Sequence, residues 1–99
     1  RTGDLTVPEK FALYQNYPNP FNPDTKIRFD IAGKYNEAVK VDLSIYDVLG
    51  RQVVTLISKD MNPGTYEAIW DAADSPSGIY FFRLTTTRFT DAKKMILLR

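Results

Sequence analysis

Lys26-Ile27-Arg28-Phe29-Asp30-Ile31 alternates apolar and charged residues without a break, and Val39-Lys40-Val41-Asp42-Leu43-Ser44-Ile45-Tyr46 repeats the pattern. Successive side chains of an extended strand point to opposite faces, so a period of two makes each stretch a strand with one dry and one wet face. A helix of this composition would spread its apolar residues around the whole circumference. Residues 33–38 supply the connection. Asp47-Val48-Leu49-Gly50 reverses the chain, with Gly50 expected at positive φ.

Working outward, Gln52 to Ile57 is a β-branched run without clear facing, followed by the turn-like Asp60-Met61-Asn62-Pro63-Gly64. Tyr66, Ala68 and Trp70 share a face of the next strand, and after a polar loop from Asp71 to Ser77 the run Gly78 to Thr85 places Tyr80, Phe82 and Leu84 together. Thr86 to Phe89 and Ala92 to Leu98 are expected to close the fold as a hairpin around Asp91. Upstream, Phe11 to Tyr14 starts an edge strand. Asn16-Tyr17-Pro18-Asn19-Pro20-Phe21-Asn22-Pro23 then packs prolines so densely that it must be extended or turning, because each proline removes a backbone donor and keeps its predecessor out of α geometry. About seven strands at this spacing predict an all-β, immunoglobulin-like antiparallel β-sandwich. Its expected core contains Ile27, Phe29, Val41, Leu43, Ile45, Trp70, Tyr80 and Phe82. Gly64-Thr65-Tyr66 and Gly78-Ile79-Tyr80 both launch strands with glycine two residues before a ring. Tyr80 is therefore either a plain core aromatic or a tyrosine corner, its hydroxyl bonded to backbone near Asp74 to Ser77.

The 99 residues suffice for one core, and 43% hydrophobic with 25% charged residues describes an ordinary globular chain. No apolar run reaches the ~20 residues of a membrane-spanning helix. With 13 Lys+Arg against 12 Asp+Glu the chain lacks the basic surplus expected of a nucleic-acid-binding domain. Histidine and cysteine are both absent, which removes the usual neutral-pH proton shuttle, the thiolate nucleophile, the disulfide and the common zinc sites together. The chain opens at Arg1 without a leader-like stretch, and residues 1–10 are expected to be an unpacked linker from an upstream domain, which either holds or adjoins a processing junction or is an ordinary interdomain linker without processing. Residues 11–99 are the sandwich.

Several features admit two readings. The proline and asparagine segment is either a recognised edge or a structural docking strap. The basic terminal stretch, with Arg83, Arg88, Lys93, Lys94 and Arg99 against Asp91, is either a solvated strand face or a contact for a translocon or anionic lipopolysaccharide. Trp70 is either core or a sugar-stacking platform. Asp47, Asp60, Asp71 and Asp74 match no calcium-loop signature, and a small sandwich filled by its own core leaves little concave space for a paired-carboxylate hydrolase. No cofactor, metal or catalytic residue is expected.

Five ordered pieces carry a family resemblance. They are the stretch from Asn16 through Tyr17, Pro18, Asn19, Pro20, Phe21, Asn22 and Pro23 to Phe29; Ile45-Tyr46-Asp47-Val48-Leu49-Gly50-Arg51-Gln52-Val53; Trp70-Asp71; Ser77-Gly78-Ile79-Tyr80-Phe81-Phe82-Arg83-Leu84; and Lys94-Met95-Ile96-Leu97-Leu98-Arg99. In order and spacing they resemble the C-terminal sorting domain of the type IX secretion system, with a related sandwich in flagellar hook-capping proteins. The resemblance implies a non-catalytic sorting signal at the end of a larger exported bacterial protein. It further implies passage through the periplasm, recognition by an outer-membrane translocon, and release or surface anchoring after a sortase-like peptidase removes the domain. The alternative is a carbohydrate-binding or structural accessory module of a secreted multidomain enzyme. On the sorting reading the recognition candidates are Lys93, Lys94, Met95, Ile96, Leu97, Leu98 and Arg99, on a final strand whose outer edge is expected to be open to strand addition.

Overall fold

The computed structural model describes residues 8–33 and 37–99. The linker reading of residues 1–7 and the middle of the 33–38 connection lie outside the described residues. Seven strands form: β1 (Ala12–Leu13), β2 (Asp24–Ile31), β3 (Val39–Asp47), β4 (Gln52–Met61), β5 (Gly64–Asp71), β6 (Gly78–Thr86) and β7 (Thr90–Leu97). They make two antiparallel sheets in the orders β1-β2-β5 and β4-β3-β6-β7. The chain crosses between sheets after β2, β4 and β5, an arrangement consistent with the expected immunoglobulin-like sandwich.

The alternation fixes which faces meet. Ile27, Phe29 and Ile31 of β2 oppose Val41, Leu43 and Ile45 of β3, and all six are fully buried. Trp70, Tyr80 and Phe82 join them, so every expected core residue is inside. Each such side chain contributes about 1.5–3 kcal/mol by leaving water. The interior also takes Phe21, Met95 and Leu97, three residues outside the expected list.

β1 is shorter than Phe11 to Tyr14 and β2 begins at Asp24, two residues before the alternating stretch, and two further boundaries depart from the sequence reading. β4 runs on through Asp60 and Met61, so the turn shrinks to Asn62 and Pro63, and Met61 packs inside. The unclear facing of β4 has a mechanical cause. Leu43 and Ser44 stand opposite Ile57 and Thr55, and Ile45 and Tyr46 opposite Val54 and Gln52, leaving Leu56 and Val53 as bulges that reset the alternation. At the other end the β6–β7 turn lies at residues 87–89, not around Asp91, which sits within β7 opposite Leu84. The Thr86 hydroxyl accepts from the Arg88 amide (3.1 Å), and the Thr86 amide donates to the Phe89 carbonyl (2.7 Å), so threonine forms the turn where aspartate was expected to.

Glycine is favoured at two positions for different reasons. Gly50 adopts φ 84°, as expected. Gly33 is forced by proximity, since a Cβ there would lie 2.7 Å from Pro63 Cγ.

Candidate functional site

The final strand and the proline segment, far apart in sequence, form one structure. After β1 the chain continues beside β2, with the Tyr17 amide donating to the Lys26 carbonyl (3.0 Å) and the Lys26 amide returning to Tyr17 (2.9 Å). It then leaves the first sheet and reaches the edge of the second. The Phe21 amide donates to the Ile96 carbonyl and the Leu98 amide to the Phe21 carbonyl, both at 3.0 Å, in a parallel bridge. Asn19 Oδ1 accepts from the Ile96 amide (3.0 Å), and Gln15 Nε2 donates to the Lys94 carbonyl (2.8 Å). A segment rich in proline suits this job, because it caps a strand edge without presenting a full row of donors of its own.

A buried polar knot shapes the segment. Asn16 and Thr25 are both buried. Asn16 Nδ2 donates to Thr25 Oγ1 (2.9 Å) and to the Pro18 carbonyl (3.2 Å), Thr25 Oγ1 donates to the same carbonyl (2.9 Å), and Asn16 Oδ1 accepts from Gln15 Nε2 (2.7 Å). The amide group thus uses both donors and its acceptor, which is the condition for burying it without penalty. No buried side-chain nitrogen or oxygen among the described residues lacks a partner. Phe21, delivered by this turn, stacks in a tilted pair with Trp70 (centroids 5.7 Å), which meets Tyr80 edge-on at 5.1 Å. Such geometries suit the ring quadrupoles. Buried in this way, Trp70 is core and offers no exposed stacking platform.

Tyr80 is both a core aromatic and a tyrosine corner: its hydroxyl donates to the Pro76 carbonyl at 2.6 Å. Tyr66 repeats the device four residues after Asn62, whose carbonyl it reaches at 2.7 Å. The shared Gly-x-Tyr pattern therefore has one physical meaning at both strand starts, a hydroxyl tying the strand to the turn before it.

The end of the chain is clasped. The Arg99 amide donates to Ser77 Oγ (2.9 Å), and the Arg99 guanidinium Nη1 donates to the carbonyls of Ala72 (3.1 Å), Ser75 (2.8 Å) and Ala73. Three carbonyls share the two hydrogens of one nitrogen, and a permanently charged donor is the group best able to hold them. The loop between β5 and β6 is thus closed by the last residue. No sequence period or spacing pointed to this role.

The seven recognition candidates divide by face. Met95 and Leu97 are fully buried in the core, so their side chains are closed to any partner while the domain is folded. Arg99 is engaged with the 72–75 loop. Lys94, Ile96 and Leu98 belong to the outward set, whereas Lys93 is half-buried on the inward register of Met95 and Leu97. The edge of β7 expected to be open is covered at Lys94, Ile96 and Leu98 by the proline segment.

Charge chemistry concentrates at the β3–β4 turn. Asp47 Oδ1 accepts from the amides of Leu49 and Arg51, and Oδ2 from Arg51 Nε, all at 2.9 Å. The backbone amide of Arg51 leads in holding the Asp47 carboxyl below its usual range, with the Arg51 guanidinium and the Leu49 amide assisting. On the first sheet, the Tyr14 hydroxyl donates to Asp30 Oδ2 (2.5 Å), which raises the phenol pKa. Both arrangements are structural, and neither sets an acid beside a base over a cleft.

The model of a family described as secretion system C-terminal sorting domain matches residues 15–98. No curated protein matches the chain. The matched span takes in both the strap and the final strand it covers.

Proposed function

Because this chain belongs to the family of secretion system C-terminal sorting domains, the signals of type IX secretion, we propose that it works as a folded, non-catalytic address that carries an attached cargo from the periplasm to an outer-membrane translocon. A sortase-like peptidase then removes the domain within or beside residues 1–10, and the cargo is released or anchored at the cell surface. The observation carrying this reading is the family match over nearly the whole described sandwich. Three features support it. The chain has neither histidine nor cysteine. Among the described residues its two perturbed ionisable groups, Asp47 and Tyr14, hold a turn and a strand pair. No helix among the described residues is long and apolar enough to cross a membrane. The accessory-module alternative loses its sugar platform with the burial of Trp70.

The test is a fusion of residues 1–99 to a passive periplasmic reporter in a bacterium with type IX machinery. The reporter is expected in the medium or on the surface. Retention in the periplasm, with the domain folded, would overturn the proposal, and mass spectrometry of exported reporter locates or excludes the cut.

A further inference from the structure

The outer face of the four-stranded sheet changes character along its length, and the strand register shows where. Near the far end, Lys40 pairs with Asp60, and Asp42 lies between Ser58 and Thr85, a polar surface. Towards the clasped end the outward residues become Tyr46 opposite Phe81, then Ile79 opposite Ile96, with Leu98 next in the alternation. Val48 in the β3–β4 turn adjoins this region at 64% exposure, with Ile79 at 41% and Leu98 at 55%. An open groove of about 260 Å³ runs between Tyr46, Val48, Phe81, Arg83 and Ala92. That volume admits one or two protein side chains.

The charges around the groove that are left free to meet an occupant are cationic. The Arg83 guanidinium lies 4.6 Å from the centre of the Tyr46 ring and its Nη2 donates to the Tyr46 hydroxyl (2.6 Å), which leaves other donors outward. Lys94 stands opposite Phe81 across the β6–β7 ladder. Asp47, the carboxylate lining the groove, is already held by the Leu49 and Arg51 amides and paired with the Arg51 guanidinium. Cationic groups flanking an aromatic groove select an occupant that carries apolar side chains next to carboxylates. A second copy would bring cation against cation. A lipid surface has no side chain to fill a recess.

We propose that this apolar half of the sheet face, centred on Phe81, is the docking surface for a protein component of the export machinery that presents apolar side chains flanked by Asp or Glu. The proposal rests on the sorting function above and places recognition on the sheet face, whereas the β7 edge is sealed by the strap.

The reporter fusion separates the two claims. Failure of the unmodified fusion to be exported overturns the sorting function. Given export, Ile79→Asp and Lys94→Glu are each expected to lower the exported fraction by about tenfold, the effect of losing one modest interface anchor. Ile69→Asp, on the outer face of the other sheet, leaves export unchanged. Thermal melts of the purified chains keep misfolding apart from lost docking, and Lys94→Glu, at an exposed charged position, retains the fold if Ile79→Asp does not. A photo-crosslinker at position 79 is expected to join an outer-membrane component of the machinery, with the crosslink lost in Lys94→Glu. Unchanged export of both folded variants overturns the docking surface. So does a dimer in sedimentation that Ile79→Asp dissolves, which would make the face a self-interface, or co-sedimentation with phosphatidylglycerol vesicles that Lys94→Glu abolishes, which would make it a membrane surface.

Discussion

Asp47 shows how one side chain can define a hairpin. Its carboxylate gathers two turn amides and the Arg51 guanidinium, and the charged form is favoured because hydrogen bonds to an ionised acceptor are stronger than those to a neutral acid. The sign of the linkage follows. A carboxyl held below its ordinary value of 3.8 adds stability that is fully present above that value and is lost as pH falls through the lowered folded-state value. NMR titration of the Asp47 side chain is therefore expected to give a midpoint below 3.8, with the Leu49 and Arg51 amides shifting together with it. A midpoint at or above the ordinary value would remove this account of the turn. Gly50 and the Tyr80 hydroxyl are comparable single-residue devices. Gly50 was readable in advance, because positive φ has a strong glycine preference, whereas the sequence left Tyr80 open between a plain core aromatic and a tyrosine corner. Arg99 was not readable in this way, because a guanidinium that binds three backbone carbonyls matches no local pattern; the partners are set by how β5 and β6 come together.

At the scale of elements, the strands that alternate were legible and those that do not were not. β2 keeps one face dry over its whole length and β3 and β6 keep one dry through their middles, so their faces could be assigned from the period alone. β4 hides its facing behind two bulges, and the β6–β7 turn is built by a threonine hydroxyl in place of the more usual aspartate. Phe21 escaped the core assignment because it lies among prolines that mark a loop, and only the cross-sheet path of the strap turns its ring inward. The strap and β7 make one composite element closed by the clasp, and Arg99→Ala tests the clasp. The three released carbonyls find water where they are exposed, so the expected cost is about 1–2 kcal/mol. The loss should appear as a lower melting temperature and faster hydrogen exchange at the Ser75 and Leu98 amides. Unchanged exchange at both would show that the guanidinium contacts add nothing to closure.

For the molecule as a whole, β7 is as much core as edge. Deleting residues 94–99 removes two fully buried side chains, the bridge to Phe21 and the clasp together. Losing Met95 and Leu97 alone takes away about 3–6 kcal/mol of burial, a large share of the stability of a small domain. The truncated chain is expected to lose its cooperative melt by calorimetry, whereas retention of a sharp transition near that of the full chain would show that the remaining strands suffice. A failure of such a truncation to be exported would therefore report unfolding, and only substitutions on the outer face isolate recognition. The strap also imposes an order in time. Asn19 meets Ile96 and Gln15 meets Lys94 across separations of 77 and 79 residues, so the closing contacts cannot form until almost the whole domain has left the ribosome. Contacts this distant in sequence form late, because the chain entropy of the intervening loop must be surrendered first. A domain whose synthesis has stopped short of residue 96 therefore lacks the strap contacts made by Asn19 and Phe21.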